Sequence, residues 1–228
     1  MLQAVVFDFD GVLANSEPLH LRAFQSVLAG VGLAMSAQEY YETYVGLDDQ
    51  TVFRELARDR QLAVGEPWVQ RLTSQKMSIL QDLLAGASPL FPGAAACVRE
   101  LAARVPVAVS SGAVRREILQ VLDTENMAGL FTAIVAAGET PRSKPAPDPY
   151  RRAVELLEEA TGTSIEAARV VAIEDSLQGL ASARAAGLQA VALSTTYRPE
   201  VLTEAVLVLP DISAVTYDRL AALWPQRV

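Results

Sequence analysis

The chain has 228 residues, a formal net charge of −8 and 51% hydrophobic residues, enough for one large domain or two small ones burying about 70–75% of the unfolded surface. It has no basic block, no basic stripe interleaved with aromatics and no apolar run of bilayer-spanning length, which excludes nucleic acid and membrane as expected partners. The lone cysteine, Cys97, excludes an intramolecular disulfide and a cysteine-based metal cluster, and its spacing to Val98 and Leu101 reads as a buried helix position.

The first element is the apolar run Ala4-Val5-Val6-Phe7, which leads directly into Asp8-Phe9-Asp10-Gly11-Val12. These opening residues read as a strand and not as a charged, cleavable leader, so a cytoplasmic location is expected. A strand buried on both faces has no use for acids, and its carboxyl end is where an open parallel sheet places ligand and chemistry. The plainer alternative is a strand running into an Asp-rich turn.

From about Ser16 to Ala85 the signals are helical only. Leu19, Ala23, Phe24, Val27 and Leu28 recur at helical spacing, Ser36 caps a segment toward Val45, and residues 51–60 and 67–84 form two more helical stretches. After Pro89 and Pro92-Gly93 the pattern becomes strict alternation. It predicts helices over 94–104, 114–122, 148–159, 177–186 and 217–223, and strands over 105–109, 133–136, 170–173, 190–193 and 206–209. Asp148 reads as the N-cap of its helix, with Pro149 at the first helical position. Short apolar strands separated by helices predict an α/β fold, a doubly wound, Rossmann-like parallel sheet. Residues 1–15 and 86–228 form this core in the reading, and 16–85 an α-helical cap of four-helix type inserted after the first strand. That insertion point is the carboxyl edge of the sheet, so the cap is expected over Asp8 and Asp10.

Three further polar clusters end predicted strands. Ser110-Ser111-Gly112 precedes a helix and offers a hydroxyl and backbone N–H groups to an anion, or is simply a Ser-Gly turn. Lys144 lies in Arg142-Ser143-Lys144-Pro145-Ala146-Pro147-Asp148, a loop stiffened by prolines, though a loop lysine is commonly just solvated. Glu174-Asp175-Ser176 places two acids where a strand stops, with helix capping by Asp175 or Ser176 as the alternative. Parallel strands point one way, so Asp8, Asp10, Ser111, Lys144, Glu174 and Asp175 should converge on one sheet edge. Acids gathered there repel unless a cation joins them, and hard oxygen ligands without a histidine cluster select Mg²⁺ over zinc. A metal, a lysine and a helix N-terminus suit a phosphoryl group.

On these residues the chain resembles the haloacid dehalogenase superfamily, in its phosphatase and phosphomutase branch with a helical cap after the first strand. The four motifs of that family occur in order, as Asp8-Phe9-Asp10-Gly11, Ser111, Lys144 within Lys-Pro-Ala-Pro-Asp, and Glu174-Asp175, and Ser16-Glu17-Pro18-Leu19-His20 and Phe91-Pro92-Gly93 match flanking pieces. The resemblance implies that Asp8 attacks phosphorus to give an aspartyl phosphate, while Asp10 acts as general acid and then general base. It implies Mg²⁺ held by Asp8, the backbone carbonyl of Asp10 and Asp175, with Glu174 helping directly or through water. Ser111 and Lys144 would hold phosphoryl oxygens, assisted by backbone N–H groups of Phe9, Gly11 and Gly112.

In the cap the resemblance makes His20, the only histidine, a contact to substrate or to Asp10, with a surface or capping histidine as the alternative. Gly46 marks a loop between cap helices that in β-phosphoglucomutases carries an arginine for a second phosphate. The corresponding place here is Asp49, which argues for one-way hydrolysis over a mutase unless Asp49 is only a helix N-cap. Arg115, just after the Ser111 turn, is a substitute source of positive charge. The expectation is a Mg²⁺-dependent phosphatase of a small sugar-like or polyol phosphate, a monomer or weak dimer whose partner is a phosphorylated metabolite. A phosphomutase is the alternative; a non-catalytic domain should have lost a site residue, and none is missing.

Overall fold

A computed structural model describes residues 1–45, 47–86 and 88–224. Their contacts fall into two compact units, one made of Met1–Asn15 and the chain from Pro89 onward, the other of Ser16–Ser88.

The first unit is built on six strands: β1 (Ala4–Phe7), β2 (Val107–Ser110), β3 (Ala133–Val135), β4 (Val170–Glu174), β5 (Gln189–Leu193) and β6 (Leu207–Leu209). Their order is β3-β2-β1-β4-β5-β6 and every neighbouring pair is parallel. Small and β-branched residues make this possible, because β1, β2 and β4 are buried along their whole length and carry almost no polar side chain. The strand order reverses at β1, which pairs with β2 through Val5↔Val107 and with β4 through Ala4↔Val170. The crevice outside the carboxyl ends of such a pair is where open α/β sheets bind ligands. Two polar residues expected beyond the strands in fact belong to them, since Ser110 pairs with Val135 and Glu174 with Ala192. The ladder therefore fixes the backbone of both. Val105 lies outside β2.

Among its described residues the second unit holds four α-helices, α1 (Glu17–Ala29), α2 (Ala37–Glu39), α3 (Asp49–Asp59) and α4 (Glu66–Gly86). Leu21, Phe24, Val27 and Leu28 of α1 face Val52, Phe53 and Leu56 of α3 and Val69 and Leu72 of α4 in one apolar cluster, with Phe24 and Phe53 edge to face at 5.3 Å. Ser36 and Glu39 form a capping box on α2, which after three residues widens into a π turn over Tyr40–Tyr44 that buries Tyr40 and Tyr44 and leaves Tyr41 exposed.

Five helices complete the first unit: α5 (Ala94–Ala102), α6 (Arg115–Thr124), α7 (Asp148–Thr161), α8 (Leu177–Ala185) and α9 (Tyr217–Ala221). Tyr150, Ala153 and Leu157 of α7 and Leu180 and Ala183 of α8 pack on Ala4, Val6, Ala108, Ala172 and Ala190 of the sheet. Each large apolar side chain so buried contributes about 1.5–3 kcal/mol. The cap of α7 is Pro147, not Asp148. Arg142 takes the Asp148 carboxylate through Nε at 3.0 Å and Nη2 at 2.7 Å, so that carboxylate is turned to the guanidinium and Pro149 falls at the second helical position. Among the described residues no helix is long and apolar enough to cross a membrane.

Candidate active site

Asp8 follows the last residue of β1, and its N–H continues the ladder to the Ile173 carbonyl at 2.9 Å. The chain then turns tightly, the Phe9 carbonyl accepting from Leu13 and Ala14 and the Gly11 N–H donating to Ala14 at 2.8 Å. Gly11 is required at this turn, because its φ is +77° and a Cβ there would lie 1.9 Å from Oδ2 of Asp175. The Phe9 side chain is buried, so Phe9 has only its backbone to offer a ligand.

Lys144 reaches this strand end from the loop before α7. Its Nζ donates to Oδ1 of Asp8 at 2.7 Å, Oε1 of Glu174 at 2.6 Å and the Ser110 carbonyl at 2.8 Å, which uses all three ammonium protons. Glu174 is fully buried. Its Oε1 also accepts from the Tyr150 hydroxyl at 2.6 Å, while Oε2 accepts from the backbone of Asp175 and Ser176 at 3.2 and 3.4 Å and from Ser176 Oγ at 3.1 Å. Asp175 accepts from the Thr196 hydroxyl beyond β5.

Gly179 on α8 makes room for Glu174: a Cβ there would meet the carboxylate carbon at 1.9 Å. Because that carboxylate is held by its donors, it cannot step aside without breaking them. Gly179→Ala is therefore expected to cost about 1–3 kcal/mol by overpacking and to lower activity as well, read from a melting curve and a rate on the same sample. A variant with unchanged melting temperature and rate would show that Glu174 is free to move.

One oxygen from each of Asp8, Glu174 and Asp175 lies within 4.8 Å of the others. Burial raises Asp8 well above the ordinary carboxylate range; Lys144 opposes this, and Glu174 and Asp175 add to it. Burial likewise lifts Asp175 to about 7, against the Thr196 hydrogen bond and with Glu174 and Asp10 adding. Lys144 is pulled down by burial, but Asp8 and Glu174 outweigh this and hold it above the usual lysine range. The Tyr150 phenol, buried beside Glu174 and Asp8, is pushed up and stays protonated. Three carboxylates against one ammonium leave surplus negative charge in a buried site whose candidate ligands are all oxygens, a donor set that fits a hard divalent cation.

Asp10 is half-buried, two residues beyond Asp8, and its charge reaches Asp175. Ser111 is buried in the turn after β2, where its N–H donates to the Val135 carbonyl and its Oγ accepts from Ala113 N at 2.9 Å; Gly112 is exposed. Arg115 is not drawn into the cluster: its guanidinium is bound to Glu139 at 2.6 and 2.8 Å and to the Ile134 carbonyl at 2.6 Å.

The remaining candidates belong to the helical unit. Gly46 lies outside the described residues. His20 Nδ1 is 2.8 Å from Nζ of Lys76, which is fully buried, donates to Asp49 at 2.7 Å and sits 4.9 Å over the Phe24 ring. Burial, with Lys76 adding, pushes His20 down to about 3, so the imidazole is neutral and accepts from the ammonium. The N-cap of α3 is Asp48, whose carboxylate accepts from Gln50 and Thr51 at 3.1 Å; Asp49 is a helical residue and an ion-pair partner. Sequence reasoning overlooked Tyr150, Thr196 and Lys76. The signals were there: Tyr150 and Lys76 fall on the apolar stripes of α7 and α4, where a polar tip needs a partner, and Thr196 lies in the turn that follows β5, on the sheet edge where the other site residues follow their strands.

A sequence profile of the family described as haloacid dehalogenase-like hydrolase matches residues 5–193. Protein CbbY (plasmid) of Cupriavidus necator is 32% identical, over 92% of this chain and 86% of its own. Hexitol phosphatase B of Escherichia coli K12 is 29% identical, over 96% of this chain and 94% of its own. A solved structure of a point mutant of CbbY from Rhodobacter sphaeroides in complex with xylulose-(1,5)bisphosphate superposes with a TM-score of 0.81 at 26% identity, covering 94% of this chain and 96% of that one.

Proposed function

Because the chain belongs to the haloacid dehalogenase-like hydrolase family, we propose that it is a Mg²⁺-dependent phosphomonoester hydrolase acting on a small sugar or polyol phosphate through an aspartyl phosphate on Asp8. The observation that carries this reading is the Lys144 ammonium bridging Asp8 and Glu174 at the carboxyl ends of β1 and β4, beside Asp175.

Lys144 binds one Asp8 oxygen, which aims the other along a fixed line and screens the carboxylate from an incoming phosphate dianion. In the first step that oxygen bonds to phosphorus as the ester P–O bond breaks, and Asp10 gives its proton to the departing alkoxide. In the second step Asp10 takes a proton from water, water oxygen bonds to phosphorus, and the acyl phosphate bond breaks to return the Asp8 carboxylate and inorganic phosphate. Ser111 keeps its hydroxyl proton for a phosphoryl oxygen while its Oγ accepts from Ala113; the Gly11 N–H, expected as a further donor, is taken by the Ala14 carbonyl, and the open space at exposed Gly112 lets backbone approach closely. Asp8, Asp175 and the Asp10 carbonyl would hold Mg²⁺, which when bound supplies charge neutralisation at the phosphoryl oxygens.

The names of two relatives support the substrate class, one a hexitol phosphatase and the other solved with a ketopentose bisphosphate. The test is a panel of hexitol, pentitol and sugar phosphates assayed with Mg²⁺ and with chelator. Phosphate release from at least one member, lost on chelation, is the expected result. Conversion of a sugar 1-phosphate to its 6-phosphate, with no phosphate released from any member, would replace the hydrolase reading with a mutase.

A further inference from the structure

We propose that Tyr150 is a positioning residue whose buried hydroxyl, acting through Glu174, fixes the Lys144 ammonium against Asp8. The inference rests on the phosphatase reading of this site. Lys144 has a flexible four-carbon stem on a loop, and a cationic group that steers phosphoryl transfer has to be held to a fraction of an ångström. Of its three acceptors, the Ser110 carbonyl is neutral, and the Asp8 oxygen that it binds becomes a neutral carbonyl when the other oxygen bonds to phosphorus. Among the three acceptors, Glu174 is then the one that stays a carboxylate in both halves of the cycle.

What fixes Glu174 is correspondingly important. Gly179 of α8 closes on the carboxylate from one side, and Oε2 is held by the adjacent Asp175 and Ser176. Oε1 has two donors, both at 2.6 Å: the Lys144 ammonium itself and the Tyr150 hydroxyl. Tyr150 is thus the independent anchor on the oxygen that faces the lysine. It is fully buried on the packed face of α7, a helix that starts four residues after Lys144, so anchor and lysine are carried by one loop and helix junction. Charge-assisted bonds of this length are the strong ones. Two donors on Oε1 and three contacts on Oε2 also engage Glu174 as the lysine's counter-ion, leaving Asp8 and Asp175 as the acids open toward a cation.

Tyr150→Phe isolates the hydroxyl, because the ring that lies 4.9 Å under Nζ and packs in the core is kept. The experiment compares wild type, Tyr150→Phe, Glu174→Gln and the double variant in kcat and KM on a substrate from the panel, in calorimetric affinity for inorganic phosphate, and in Mn²⁺ affinity by electron paramagnetic resonance. A melting curve accompanies each. The expected result for Tyr150→Phe is a kcat lower by roughly 10- to 100-fold, weaker phosphate binding, Mn²⁺ affinity close to wild type, and no further loss when the substitution is added to Glu174→Gln. Wild-type kcat and phosphate affinity in Tyr150→Phe would overturn the proposal, whether or not the melting temperature falls. So would an equal loss in both backgrounds, or a loss of Mn²⁺ affinity matching the loss of rate. If wild type binds phosphate but hydrolyses nothing in the panel, the phosphatase reading fails while phosphate affinity still decides the role of Tyr150.

Discussion

Asp8→Asn is expected to abolish turnover, a fall in kcat of at least about 10⁴-fold, without loss of the fold. The amide has the shape of the carboxylate but no anionic oxygen to bond to phosphorus, so neither half of the reaction can proceed. The backbone of residue 8 stays anchored, because the N–H to the Ile173 carbonyl is unaffected by the side chain. Stability should be equal to wild type or higher. Burial raises Asp8 well above the ordinary range, which means that its charge is held at a cost in the folded protein, and the amide removes that charge and its repulsion of Glu174 and Asp175. The measurement is kcat on a hydrolysed panel substrate beside a melting curve without added divalent cation. A kcat within tenfold of wild type would remove Asp8 from the nucleophile's role.

Asp10→Asn is expected to lower kcat by about 10² to 10⁴, the range for a positioned proton donor and acceptor. The loss should depend on the leaving group. A polyol alkoxide needs the proton, so its ester should show the full effect, whereas an aryl phosphate expels a stabilised phenolate and should still phosphorylate Asp8. Hydrolysis of the acyl phosphate should then become slow, giving a burst of phenolate followed by a slower steady rate. A fall of less than tenfold on a polyol phosphate, with no burst on the aryl ester, would contradict the role of Asp10.

The fold was legible because parallel strands impose a direction. Once the apolar runs at β1, β2 and β4 are read as parallel, the residues that follow them must share an edge, and there the structure bonds Lys144 to Asp8 and Glu174 and brings one oxygen each of Asp8, Glu174 and Asp175 within 4.8 Å of the others. Local pattern was a poorer guide to partners. Asp148 has the right type and place for a helix cap, yet Arg142, six residues earlier, takes its carboxylate. Arg115 carries the charge expected near a phosphate, but Glu139 and the β3 edge engage it from 24 and 19 residues away, which no local window displays. Asp48 and Asp49 are adjacent acids at a helix start, and only tertiary contact decides that the first caps and the second meets Lys76. Tyr150 and Lys76 read as packing residues because their spacing is that of a buried stripe. Their polar tips are satisfied by groups on other elements, and that is a property of the folded chain alone.

The most direct test is to quench the enzyme with Mg²⁺ and an aryl phosphate, whose phenolate leaves without a proton from Asp10, at times shorter than one turnover, in wild type and in Asp10→Asn, and to map phosphorylation by peptide mass spectrometry. The expected result is a phosphoryl group on Asp8, transient in wild type and accumulating in Asp10→Asn. Inorganic phosphate released with no phosphoryl group ever found on Asp8, or found on another residue, would contradict the mechanism.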